Sequence, residues 1–187
     1  PQLSYPPYPL VPGTSVAGAI SSGDVALGAI GTVTYRDGDR LWAFGHPLDA
    51  AGRRSLPLLD AYVYSVIDNP VAFDEYTTPY KLATAGRPVG TLTTDGLSAI
   101  AGRVGAPPST IPLTVRARNE ANGRTRTLRV DVADERNLNL GSGLDEVGSL
   151  AAGEAMATVL GAAPPRFTTS MCVRVDVRQR RKPMRFC

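Results

Sequence analysis

Apolar and polar positions alternate along most of the chain with the period of two that marks strands, and only once does the period lengthen to that of a helix. The alternation is tightest around two turn dipeptides. In G-T-V-T-Y-R-D-G-D-R-L-W-A-F-G-H-P, residues 31–47, Asp37-Gly38 signals a hairpin, because glycine accepts positive φ and the primed turn it permits matches the twist of the flanking strands. Counting outward pairs Tyr35 with Arg40 and Val33 with Trp42, which sets Val33 and Trp42 on one face and Thr34 and Leu41 on the other. Residues 111–132 repeat the pattern about Asn122-Gly123. There the count pairs Ala117 with Leu128, Val115 with Val130 and Leu113 with Val132 on a buried face, leaving Arg116, Arg118, Arg126 and Arg129 for the other.

The remaining segments carry weaker versions of the same signal. Small residues alternate with aliphatics over residues 15–30 around a Ser-Gly-Asp turn, which reads as two short strands. Residues 61–67 have the β-branched and aromatic bias of a strand, stopped by Asn69-Pro70. Residues 71–87 show no sustained period and read as an irregular excursion with a short strand at 80–83. Two brief strands follow around Asp95-Gly96, ended by Pro107-Pro108. Then Leu144, Val147, Leu150, Ala151, Val159 and Leu160 fall on one helical face; Ser142 with Asp145 resembles a capping box, and Gly161 with Pro164-Pro165 ends the segment. Gly148 and Gly153 each weaken such a helix by about 1 kcal/mol relative to alanine, so it must be held by packing on a sheet.

These elements predict a mainly β fold, an antiparallel barrel or sandwich of hairpins with one helix near 144–160. A proline-rich strap over residues 1–13, extended and poor in ladder donors because it holds five prolines, leads into a single β domain over 14–187. The strap reads as an anchored lead-in more readily than as a ligand for another protein. Its start, Pro-Gln-Leu-Ser, has neither an initiator methionine nor a charged-then-apolar signal pattern, and reads as a piece processed or excised from something longer.

The composition, with 43% hydrophobic residues in 187, is enough for a real core, and no run approaches the ~18 apolar residues of a membrane helix. The net charge is +3, carried almost wholly by arginine, since lysine occurs only at Lys81 and Lys182. The arginine row of residues 116–129 could attract an anion or an acidic partner. With no aromatic residues interleaved to stack bases, nucleic acid is not expected, and solubility accounts for the row.

The two cysteines flank C-V-R-V-D-V-R-Q-R-R-K-P-M-R-F-C. A symmetric hairpin over this stretch sets Cys172 opposite Cys187, Val173 opposite Phe186 and Val175 opposite Met184, and opposed cysteines in a non-hydrogen-bonded pair come within reach of a disulfide. A bond there implies an oxidising setting, outside the cytoplasm. Two cysteines and one histidine without a matching spacing fall short of a tetrahedral metal site, and no cofactor motif is present.

His46 is the only histidine. It sits just past a strand end, where a rigid strand fixes the ring and Gly45 allows backbone or substrate to approach; a plain turn would have the same address. The order G-T-V-T-Y, a turn, A-F-G-H-P, and about 35 residues later K-L-A-T-A-G-R-P-V-G-T-L-T-T-D-G-L-S-A-I-A-G resembles the SpoIVB-type serine peptidases of bacterial sporulation and their actinobacterial relatives. The similarity is good over residues 11–132 and loose elsewhere. It implies a trypsin-like β-barrel, and it gives His46 the part of general base in a His/Asp/Ser set.

The family's serine lies late in the chain in a G-x-S-G-S-P segment, where glycines free the backbone N–H groups for an oxyanion hole. That segment is absent here. Ser170, in T-T-S-M, precedes the final hairpin as the family's serine does but lacks the glycines. Ser142, in L-G-S-G-L, has the glycines but opens the helix, where capping explains it better. For the acid, Asp60, Asp68, Asp95 and Asp145 all have loop or capping explanations, and chain order favours Asp145. A histidine segment without its serine segment favours a non-catalytic, peptidase-like domain of an exported protein that serves structure or binds a protein or peptide. An active serine endopeptidase with a disguised nucleophile comes second, and an arginine-rich anion-binding module third.

Overall fold

The computed structural model describes residues 5–7, 9–68, 79–135, 143–161, 166–177 and 179–187. In chain order the elements are β1 (Ser15–Ala19), β2 (Ser21–Gly23), β3 (Gly28–Asp37), β4 (Arg40–Ala43), β5 (Gly52–Ile67), β6 (Tyr80–Asp95), β7 (Ile100–Val104), β8 (Thr110–Arg118), β9 (Thr125–Ala133), α1 (Gly143–Leu160), β10 (Val173–Val175) and β11 (Met184–Phe186). The fold is mainly β, as the alternation predicts. Six antiparallel strands close into a barrel in the order β1-β3-β4-β7-β6-β5, with β5 returning to β1, so that no outer edge strand remains. Val16, Val33, Leu41, Leu56, Leu58, Leu92 and Ile100 fill its interior, joined by Leu10 from the proline-rich strap.

The turn of the β3–β4 hairpin is centred one residue beyond the predicted dipeptide, which displaces each cross-strand partner by two. Asp37 pairs with Arg40, so Gly38-Asp39 makes the turn; Gly38 has φ 57° while Asp39 keeps a negative φ, the type II′ pattern with glycine first. Tyr35 therefore opposes Trp42. A bulge between Val33 and Tyr35 then brings Val33 opposite Ala43, on the same face as Leu41. Leu41 is buried with Val33, and Trp42 lies on the other face, its ring 5.6 Å from that of Tyr35. A displacement of two leaves the predicted faces unchanged near the turn, so Tyr35 and Trp42 share one; it is the bulge that moves Val33 to the face of Leu41.

The largest departure from expectation is in β5 and β6, each 16 residues long where short strands and an irregular excursion were predicted. Residues 71–78 of that excursion lie outside the described residues, and from Tyr80 onward the chain is strand. Several register shifts bend this ribbon. Its outer part lies over the outside of β1: Leu59 and Ala61 bury Ala17 and Ala19 together with Ile30 and Ala85, and Lys81 Nζ donates to Thr32 Oγ1 at 2.6 Å. Strand β1 is thus covered on both faces, which explains its run of small residues.

A second sheet, β2-β9-β8, packs its inner face on α1 through Leu128, Val130, Val132, Val147, Ala151 and Ala155. Its hairpin is displaced by two residues from the predicted count, with Val115 opposite Leu128, Leu113 opposite Val130 and Ile111 opposite Val132. The reason is a longer loop: Asn119 and Asn122 each accept a backbone N–H two residues on, and the chain turns over Asn119 to Arg124. A shift of two keeps the inward face. Arg126, expected in the outward row, shares the face of Leu128 and Val130 by simple alternation and lies opposite Ala117, so the outward row is Arg116, Arg118 and Arg129 alternating with threonines, with Arg118 paired to Glu120.

Helix α1 buries Gly143, Val147, Ala151, Ala155 and Val159, one residue in every four. Leu150, expected on that face, is exposed. The small residues of the row let the helix approach the sheet closely. Gly161, at φ 76°, ends it as a C-terminal glycine should, and Asn119 Nδ2 donates to the Val159 carbonyl at 3.3 Å. The predicted cap at Ser142 lies outside the described residues.

Cys172 and Cys187 form a disulfide, and Val173 opposes Phe186 and Val175 opposes Met184 as counted. The apolar face of this hairpin is not buried: Val173 and Phe186 are exposed, and β10 and β11 pack chiefly on each other. Because a two-stranded hairpin is marginal alone, reduction should open it without disturbing the barrel. In a Cys172→Ser/Cys187→Ser double variant, trypsin should cut at Arg180 and Arg181 while the melting midpoint of the barrel stays within about 2 °C of the parent. A larger fall would mean that the hairpin braces the barrel.

Candidate functional site

The two halves of the histidine motif meet at a glycine. Just after β4, Phe44 is held at φ 78°, a conformation a bulky side chain rarely adopts, and its N–H donates to the Thr32 carbonyl at 3.0 Å. Its ring lies against Gly31 so closely that a β-carbon there would meet Phe44 Cδ1 at 2.1 Å. G-T-V-T-Y therefore provides the seat and A-F-G-H-P the residue that sits in it. This contact turns the chain sharply at Phe44-Gly45 and delivers His46 to the surface.

The His46 ring is exposed, 5.6 Å from the Phe44 ring, with Nδ1 2.7 Å from the Pro47 carbonyl oxygen. A carbonyl only accepts, so the proton of the neutral ring resides on Nδ1 and Nε2 is the basic nitrogen. The ring is oriented, but by a backbone carbonyl, which cannot offset the charge of an imidazolium as a carboxylate does.

Behind the histidine the loop is fastened by a buried carboxylate. Asp95, at the end of β6, is 1% exposed; Oδ1 accepts from the Leu48 N–H at 2.7 Å, and Oδ2 from Asp49 N–H at 2.7 Å and Ala51 N–H at 3.4 Å. Burial pushes its pKa up, but the hydrogen bonds it accepts from the backbone N–H groups of Asp49, Leu48 and Ala51 work against burial, and its pKa lies below the ordinary carboxylate value. Asp49 is gripped in turn by Arg54, whose Nη1 lies 2.6 Å from Oδ2 and whose Nε donates to Glu135 Oε2 at 3.0 Å. Burial works against the Arg54 charge, and Asp49 and Glu135 together hold the guanidinium above its usual range. Its Nη2 is buried without a partner.

The other predicted residues are spread over the molecule. Ser170 is exposed ahead of β10. Asp145 is exposed in the first turn of α1, where its carbonyl accepts from Ser149 Oγ at 2.8 Å. Asp68 is exposed at the end of β5, and Asp60 is buried against Tyr5 and Arg87. Ser142 lies outside the described residues. Among the described residues no hydrogen bond joins the His46 ring to Ser170 or to any of these four aspartates; both oxygens of Asp95, the one that supports its loop, are engaged by backbone N–H groups. No group of three His, Cys, Asp or Glu side chains gathers among them as a metal site, and no described helix is long and apolar enough to cross a membrane.

In the sequence Asp95 reads as a turn residue and a candidate acid, not as the anchor of the histidine loop, and Arg54, Glu135, Tyr5 and Arg87 carry no motif that singles them out. Asp60 carried a usable signal, as the one charge inside the apolar run L-P-L-L-D-A-Y-V-Y. Comparison of the chain with family models, with curated proteins and with solved structures finds no match.

Proposed function

We propose that this chain is a SpoIVB-peptidase-like β-barrel domain of an exported protein, working by binding a protein or peptide partner and not by cleaving one. The observation that carries the reading is the His46 ring, held at Nδ1 by the Pro47 carbonyl where a base of the Ser-His-Asp kind needs a carboxylate. Asp60 and Asp95, the two buried carboxylates among the candidates, are committed to other partners. The disulfide of the C-terminal hairpin supports placement in an oxidising compartment.

One feature favours the alternative of an active serine endopeptidase: the tautomer leaves Nε2 basic on an exposed ring, which is what proton abstraction from a serine requires. A fluorophosphonate probe separates the two. The binding-domain reading expects no serine labelled in the parent protein and none in His46→Ala. Labelling that is present in the parent and lost in His46→Ala would establish the peptidase.

A further inference from the structure

The proline-rich strap is not merely laid on the barrel; one of its side chains is gripped at every handle it has. The Tyr5 hydroxyl donates to Asp60 Oδ1 at 2.8 Å, and its carbonyl accepts from Arg87 Nη2 at 3.2 Å. The ring stacks on Tyr62 with centroids 5.0 Å apart and an interplanar angle of 24°, and the Arg87 guanidinium also lies over the ring, 5.1 Å from the centroid. Tyr62 in turn meets Tyr64 edge-on at 5.1 Å.

The receiving residues are built for this. Asp60 is 3% exposed, and it is held in place by the Arg87 backbone N–H, by Nε at 3.0 Å and by Nη2 at 2.8 Å. Gly86 supplies the clearance, since a β-carbon at that position would stand 1.9 Å from the Tyr5 hydroxyl oxygen and 2.4 Å from Asp60 Oδ1. Beyond Tyr5 the slot continues as a cleft of about 690 Å³ past Tyr64, Thr84, Asp24, Arg126 and Asp131. Pro6 and Pro7, which follow the gripped tyrosine, are exposed and preset the chain in an extended conformation.

We propose that Asp60, Gly86, Arg87 and Tyr62 form a recognition slot for a tyrosine followed by prolines in an extended peptide of a partner protein, and that Tyr5 of the strap occupies this slot in cis. A buried, paired carboxylate reads the hydroxyl, the aromatic and guanidinium planes hold the ring, and the prolines reduce the ordering cost of the ligand. The strap then acts as a tethered competitor. Tethered segments of this length present themselves at roughly millimolar effective concentration, so a partner binds to the extent that Tyr5 vacates the slot. This rests on the reading of the chain as a binding domain, yet the two fail separately. Serine labelling by the fluorophosphonate probe would end the non-catalytic reading and leave the slot standing, whereas the binding experiment below bears on the slot alone.

The test uses the full chain and a fluorescein-labelled peptide of the strap's own sequence, Tyr-Pro-Pro-Tyr-Pro, followed by fluorescence anisotropy. Tyr5→Ala, which empties the slot, should bind the peptide about tenfold or more tighter than the parent. In the Tyr5→Ala background, replacing both peptide tyrosines by phenylalanine should weaken binding about tenfold, because the hydrogen bond to a charged acceptor is lost; adding Gly86→Ala should abolish it. Should Tyr5→Ala lower the melting temperature enough to unfold the chain, Tyr5→Phe, which keeps the stacked ring and gives up only the hydroxyl, replaces it with the same expected order of affinities. Equal binding by the parent and the Tyr5 variant, or equal binding of the tyrosine and phenylalanine peptides, would overturn the proposal.

Discussion

Replacing Arg54 with methionine should lower the melting temperature by about 6–20 °C, the fall expected when about 3–5 kcal/mol is lost from a chain of this size. The side chain is fully buried, and it stands between Asp49, which is partly exposed, and Glu135, which is nearly buried. Methionine fills much of the volume but leaves two carboxylates facing each other without a cation. The pair itself is not the source of so large a number, since a buried ion pair is worth little over an apolar replacement and here Nη2 lacks a partner altogether. What destabilises is the charge left behind. Adding Glu135→Met to Arg54→Met should therefore recover part of the loss, and a double variant less stable than the single one, by thermal circular dichroism, would contradict this account.

Asp95→Asn should cost about 2–4 kcal/mol, a fall of about 4–16 °C, and should act on the segment that follows His46. The carboxamide keeps one acceptor oxygen but turns its NH₂ toward N–H groups of Leu48, Asp49 or Ala51 that the carboxylate now satisfies. Hydrogen exchange should speed up at the Leu48 and Asp49 amides and stay unchanged in β4; unchanged exchange at both amides would refute the role given to Asp95. The same group sets an acid limit. Its folded-state pKa lies below the unfolded one, so its contribution is complete above about pH 4 and disappears as the pH falls through the depressed value. Asp95→Asn should flatten the stability profile in that range. Because Asp49 belongs to both contacts, Asp95→Asn and Arg54→Met should combine non-additively.

The hairpins, the helix and the disulfide were legible because each depends on neighbours close in sequence. Register was less so, since Asp37-Gly38 and Asn122-Gly123 announce a turn without saying which residues occupy its centre. The long β5–β6 ribbon was hidden by Pro57 and Pro88. Pro57 lies one residue outside the part of β5 that β1 pairs with, and Pro88 lies before β7 joins β6 at Gly90, so each proline sits where one neighbouring strand is absent and its missing N–H is tolerated. At the site, the histidine loop could be read from its motif. Its supports could not, because the sequence separation of 47 from Leu48 to Asp95, or of 81 from Arg54 to Glu135, is crossed only in the fold. A glycine such as Gly86 reads as a loop until a phenol from the far end of the chain is found lying across it.

Strand β2 has three residues, and it decides how the molecule can be divided. The barrel strands end at Val104 and the second sheet resumes at Thr110, which invites a cut through the intervening loop. Yet Ser21 to Gly23, embedded between two barrel strands, pair with Val130 to Val132, and Ile20, Val25 and Leu27 beside them pack into the cluster beneath α1. A fragment ending at Val104 would carry away a strand without its partner and three apolar side chains without their cover. The two layers are stitched together, and they can be inherited, transplanted or shortened only as a pair.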